Sequence, residues 1–145
     1  MSEAKSPRRF GRSILALFAG FVVVVVLSIG TDLVMHAAGI FPALGQPMSD
    51  RLFVLATAYR TVYGILGSYI TARLAPYKPM AHAMTGAAIG MMIATVGAVA
   101  TWNRGPEFGP HWYPVTLILI GLPTAYIGAK FFEMHWVRKQ SLESS

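Results

Sequence analysis

The chain has 145 residues, of which 54% are hydrophobic and 12% charged, with a net charge of +6 and no cysteine. A soluble domain this small exposes much surface per volume and carries roughly 25% charged residues, so the composition excludes an ordinary soluble fold and points to a hydrocarbon solvent. The cations sit in short segments flanking apolar runs, which argues for a membrane and against nucleic acid, and the absence of cysteine excludes disulfides, thiolate catalysis and cysteine-ligated metals.

Four apolar stretches follow in chain order, at about 14–38, 52–74, 80–101 and 114–132. Each is close to the ~20 residues that a helix needs to cross ~30 Å of hydrocarbon. Backbone groups left unpaired cannot face lipid, and the stretches do not alternate as barrel strands do, so helices are the economical reading. The first stretch has an uncharged portion from Ser13 to Thr31 behind a basic start (Lys5, Arg8, Arg9, Arg12). That run is too long for the apolar segment of a secretory signal peptide, so it is expected to be retained as a helix. The second stretch is interrupted by Arg60, and in the fourth Pro123 is expected to kink the helix.

The connections are short. Pro42, Gly45 and Pro47 mark the first, with Ser49 or Asp50 as the N-cap of the second helix; Pro76-Tyr77-Lys78-Pro79 forms the second; Gly105, Pro106, Gly109, Pro110 and Pro114 mark the third. No connection is long enough for a further domain, and the tail from Gln140 to Ser145 is expected to be disordered. Lys5, Arg8, Arg9, Arg12, Arg73, Lys78, Lys130, Arg138 and Lys139 fall on one side of a four-pass topology, against Arg51 and Arg104 on the other. This bias puts both termini in the cytoplasm. Trp102, Trp112 and Tyr113 would form an outer aromatic belt, with Tyr77 and Trp136 forming an inner one.

Small residues at four-residue spacing share one helix face and let backbones approach. Gly86, Gly90 and Ala94 form such a face on the third helix, and Gly64 belongs to another on the second. These faces predict a compact bundle, with one left available for a homo-oligomer or a membrane protein partner.

Two charges lie inside apolar stretches, Asp32 and Arg60. A charge at that depth costs about 2.5–3.5 kcal/mol on insertion scales and usually finds a partner inside the bundle, so an Asp32–Arg60 pair is expected. The pair either pins helix register or lines a solute pathway. His36 shares a helix face with Asp32, and Tyr59 and Tyr63 flank Arg60. Asn103, Arg104, Glu107, His111, Trp112 and Tyr113 are placed as the rim of an outward-facing polar pocket. Asp-x-x-x-His is too unspecific for a metal site, and no paired carboxylates, Gly-x-Ser-x-Gly or phosphate-binding loop occurs. No metal, cofactor or enzymatic activity is therefore expected. His82 and His135 are read as interfacial residues.

The stretches GQPMSDRLFVLATAYRTVYGILGSYITARLAP and ATWNRGPEFGPHWYP resemble segments of a family of small four-helix bacterial integral membrane proteins with no assigned activity. The resemblance spans about Gly30 to Phe131 and brings no site assignment. The chain lacks the glutamate that small multidrug transporters carry early in helix one, and the motifs of fluoride channels and membrane glutathione transferases. The expectation is an all-α, up-down-up-down four-helix bundle, one domain over residues 1–145, N-in and C-in, in a bacterial inner membrane. It is expected to serve as a structural, accessory or partner-binding protein, with a small transporter or channel as the alternative.

Overall fold

Helix formation follows the four apolar runs and overshoots them at both ends of the chain. A computed structural model describes residues 7–144, in which the long helices are α1 (Pro7–Ala37), α2 (Asp50–Leu74), α3 (Pro79–Thr101) and α4 (Trp112–Glu143). One 3₁₀ turn, Pro106–Phe108, lies between α3 and α4, and no strand occurs among the described residues. Lys5 of the basic N-terminal segment and Ser145 of the tail lie outside the described residues.

The helices extend past the apolar runs because the flanking polar residues support further turns. α1 begins at Pro7, where a proline's missing N–H costs nothing. α4 continues to Glu143 over the segment expected to be disordered from Gln140. Its last turns carry the pairs Lys130–Glu133 (3.5 Å) and Lys139–Glu143 (3.9 Å) at helical spacing. α4 also runs unbroken through Pro123. α1 stops at Gly39, whose φ of +70° suits a residue without a Cβ; the Gly39 and Ile40 amides donate back to the His36 and Met35 carbonyls. Ser49 is the N-cap of α2 by backbone conformation, without a side-chain bond.

Three helices are long and apolar enough to cross a membrane: Arg8–Ala37 of α1, Pro79–Thr101 of α3, and the segment Pro106–Glu143 that contains α4. α2 has 25 residues, enough length, but is less apolar. It packs against α1, α3 and α4, whereas α1 and α4 make no extended contact with one another. The polar groups of α2 therefore meet protein on several sides.

The distribution of side chains is inverted relative to a soluble protein. The buried apolar residues are mainly alanines: Ala16, Ala56, Ala72, Ala83, Ala98, Ala125 and Ala129. Large side chains such as Phe18, Val26, Leu33, Val62, Val96 and Leu119 point outward. A water-soluble monomer rarely leaves so continuous an apolar surface uncovered. Such a surface suits a bilayer, where small interior residues let helices approach.

The closest approaches are made by glycines. A Cβ on Gly20 would stand 2.6 Å from the Gly67 carbonyl oxygen, and one on Gly67 would stand 2.8 Å from that of Gly20, so α1 and α2 cross backbone to backbone there. A Cβ on Gly128 would stand 2.9 Å from the Tyr69 nitrogen, which fixes the α2–α4 seam. The glycines expected to pack approach other helices less closely. Gly64 faces Thr124 and Gly86 faces Leu17, while a Cβ on Gly90 would meet nothing within 4 Å. Gly64, Gly86, Gly90 and Ala94 line a hollow of about 260 Å³ between the helices.

Candidate polar pocket

Asp32 lies on α1 five residues before the helix ends, and Arg60 lies midway along α2. Arg60 Nη2 donates to Asp32 Oδ2 at 2.5 Å, and the Tyr59 hydroxyl donates to Asp32 Oδ1. Both oxygens of the carboxylate thus have a donor. The guanidinium carbon lies 6.0 Å from the Tyr59 ring centre and 5.8 Å from that of Tyr113 on α4, within cation–π reach of both. The Asp32 and Arg60 side chains remain 29% and 30% exposed. Arg60 Nε is the exception: it is buried without a hydrogen-bond partner among the described residues.

A cavity of about 210 Å³ opens over this pair. Its floor is Asp32 and Arg60, and its walls include His36, Phe41, Phe53 and Tyr113. The loop after α1 covers one side with residues 41–46 and Met48, and Glu107 of the 3₁₀ turn lies on another. His36 Nδ1 lies 2.6 Å from the Pro42 carbonyl oxygen; since a carbonyl only accepts, Nδ1 carries the proton. Phe41 packs edge-on against His36 at 5.4 Å and is 4% exposed, tying the loop to α1. Phe53 stacks at a tilt on Tyr113 at 4.8 Å.

The third connection is shaped around this wall. Gly109 has φ +90° and ψ 173°, a region open essentially to glycine alone, and a Cβ there would stand 2.5 Å from the Phe53 ring. Gly105 has φ +135°, and a Cβ on it would stand 2.9 Å from the Glu107 carboxyl carbon. The two glycines leave room for the aromatic wall and for the acid.

The remaining candidate residues divide into groups. Tyr63 turns to Thr31, with its hydroxyl 2.7 Å from Thr31 Oγ1, and reaches the network only by ring contact with Tyr59 at 5.7 Å. Trp112 packs edge-on against Tyr113, behind the wall. Trp102 and His111 stack at 4.2 Å and, with Asn103, line a separate shallow groove. Arg104, just past α3, folds back onto the end of that helix, with Nε donating to the Ala100 carbonyl at 3.2 Å. At the other end of the bundle, His82 is buried beside Ser13 of α1, with Nε2 to Oγ at 2.9 Å, and His135 contacts Tyr69. No group of three or more histidines and acids that could hold a metal occurs among the described residues.

Sequence reasoning did not single out Phe41, Phe53, Gly105 or Gly109 for the pocket. The spacing offered one clue: Phe53, Ala56 and Arg60 repeat at three and four residues and share a helix face. Phe41 and the glycines carry no such signal, because their role depends on a loop folding back. Compared with protein-family models, with curated proteins and with solved structures, the chain matches none.

Proposed function

We propose that this chain is a four-pass membrane protein whose outer end takes up a small polar solute in the pocket over Asp32 and Arg60, as the binding step of a transporter or channel. α2 is the fourth span, the order is up-down-up-down, and both termini lie in the cytoplasm of a bacterial cell, at its inner membrane. Contacts that pair Asp32 with Arg60, Ser13 with His82 and Tyr69 with His135 support this order. The basic residues at the Ser13–His82 end support the orientation.

One observation carries the solute reading: two opposite charges at membrane depth open together into a cavity of about 210 Å³. A pair that served only to lock helix register needs no cavity opening onto it. A second reading, an accessory subunit that binds a membrane partner, rests on the unfilled positions of α3. A Cβ on Gly97 would meet nothing within 4 Å, and Val96 and Val99 are exposed beside it.

Water access separates the two. His36 and Met48 line the pocket and are half-buried, and the chain has no cysteine of its own. Single cysteines at 36 and 48 should react in intact cells with a membrane-impermeant thiol reagent added outside, while a cysteine at Ala125, buried between helices, should not. A folded, inserted His36→Cys protein that resists the reagent would remove the solute reading and leave the accessory one.

A further inference from the structure

We propose that the solute bound in this pocket is a small organic cation, an ammonium ion of a few heavy atoms, held by Glu107 with His36 and the aromatic wall. The inference rests on the solute reading above and adds the chemical class of the ligand.

The argument starts from which groups are already used. Three ionised side chains line the cavity: Asp32, Arg60 and Glu107. Asp32 and Arg60 neutralise one another, and Tyr59 occupies the second carboxylate oxygen. Arg60 offers little to an anion. One nitrogen is bonded to Asp32, Nε is out of reach, and the group lies against two tyrosine rings. Glu107, in contrast, has no salt bridge among the described residues. Its nearest cation along the chain, Arg104, turns instead to the Ala100 carbonyl. The pocket therefore carries one uncompensated negative charge.

The neutral groups agree in sign. His36 spends its proton on the Pro42 carbonyl, so Nε2 presents a lone pair. Beside the Gln46 amide and the Tyr113 hydroxyl, which can donate or accept, the pocket has unspent a carboxylate and an imidazole nitrogen that only accept, together with the rings of Phe41, Phe53 and Tyr113. Acceptors beside aromatic faces suit an ammonium, which donates hydrogen bonds or, when fully alkylated, rests on ring faces. The size narrows the choice: about 210 Å³ lies below the roughly 300–1,000 Å³ of drug-sized sites.

The test uses the full chain in nanodiscs of uncharged phosphatidylcholine, titrated with tetramethylammonium chloride and, separately, with sodium acetate at matched ionic strength. Calorimetry, or the fluorescence of Trp112 behind Tyr113, reads binding. Saturable binding of tetramethylammonium without binding of acetate is expected. Glu107→Gln should weaken it at least tenfold with unchanged thermal stability, since Glu107 is an exposed residue on a short turn. Gly105→Ala, which displaces the carboxylate, should weaken it less. Equal affinity in Glu107→Gln, or binding of acetate in place of the cation, overturns the inference. If neither probe binds while His36→Cys is labelled, the pocket is wet but is not a cation site, and this inference alone fails. If His36→Cys is not labelled, the solute reading fails with it.

Discussion

The α1–α2 interface is held in two different ways along its length. Midway, Gly20 and Gly67 bring the backbones together with no side chain between them. Toward the first loop, the same helices are held by Asp32, Tyr59 and Arg60, and a cavity remains above them. In lipid there is little hydrophobic drive between helices, so association depends on close van der Waals contact or on polar groups that have nowhere else to go. The glycine crossing uses the first means and the charged end the second. Both parts of the interface border a hollow, but the one beside Gly20 and Gly67 is lined without a charged side chain, whereas the one over Asp32 and Arg60 carries charges, and a hollow with charges is where a polar solute can sit.

Substitution at each region separates them by magnitude. The largest effect is expected at the crossing. Gly67→Leu drives a branched side chain into the Gly20 backbone, which cannot move aside without shifting α1. A loss of at least about 3 kcal/mol is expected, the upper end of overpacking costs, read by SDS-induced unfolding. A loss below about 1 kcal/mol would show that the helices slide past one another freely.

At the polar end, Asp32→Asn leaves Arg60 without its counter-charge. A fully enclosed pair would cost about 3–5 kcal/mol to break, but both side chains are about 30% exposed, so water screens the remaining charge. The expected loss is about 1–2 kcal/mol by the same assay. Asp32→Asn combined with Arg60→Gln should recover most of it, because the unpaired charge is gone. If the double variant is as unstable as the sum of the singles, the pair does not act as a unit. Gly109→Ala is expected to cost a comparable 2 kcal/mol or so, from backbone strain and contact with Phe53, and to lower solute binding by moving the wall.

The difference between the two regions also explains what could be read in advance. The helices were legible because long apolar runs of ~20 residues have few alternatives in lipid. Asp32 and Arg60 were legible as a set because charge is rare inside such runs and neighbouring helices meet. The crossing was not. Gly86 and Gly90 belong to a more regular repeat than Gly20 and Gly67, yet a Cβ on Gly86 would meet only Leu17, at 3.3 Å, and one on Gly90 nothing within 4 Å. A small residue permits close approach without requiring it, and which glycine is met depends on the relative rotation of two helices, which no single helix encodes. The pocket wall was illegible for a related reason. Phe41 and Gly109 come from separate loops and acquire their roles only when the loops close over α2. The ends of α1 and α4 were missed because hydropathy marks the lipid-facing part of a helix and does not mark its polar turns.

The smallest expected effect is the most informative about the hollow. Gly90 sits inside α3, where glycine is roughly 0.5–1 kcal/mol less favourable than alanine, and a Cβ there would meet nothing within 4 Å. Gly90→Ala should therefore stabilise the isolated chain by about 0.5 kcal/mol in SDS-induced unfolding, the reverse of any substitution at the crossing. The sign follows from the hollow being open at that position. If Gly90→Ala is instead destabilising by 1 kcal/mol or more, another molecule fills that space in the membrane, either an acyl chain or a helix of a second copy. Repeating the measurement across a range of protein-to-lipid ratios would then distinguish them, because only a second copy makes the penalty grow with protein concentration.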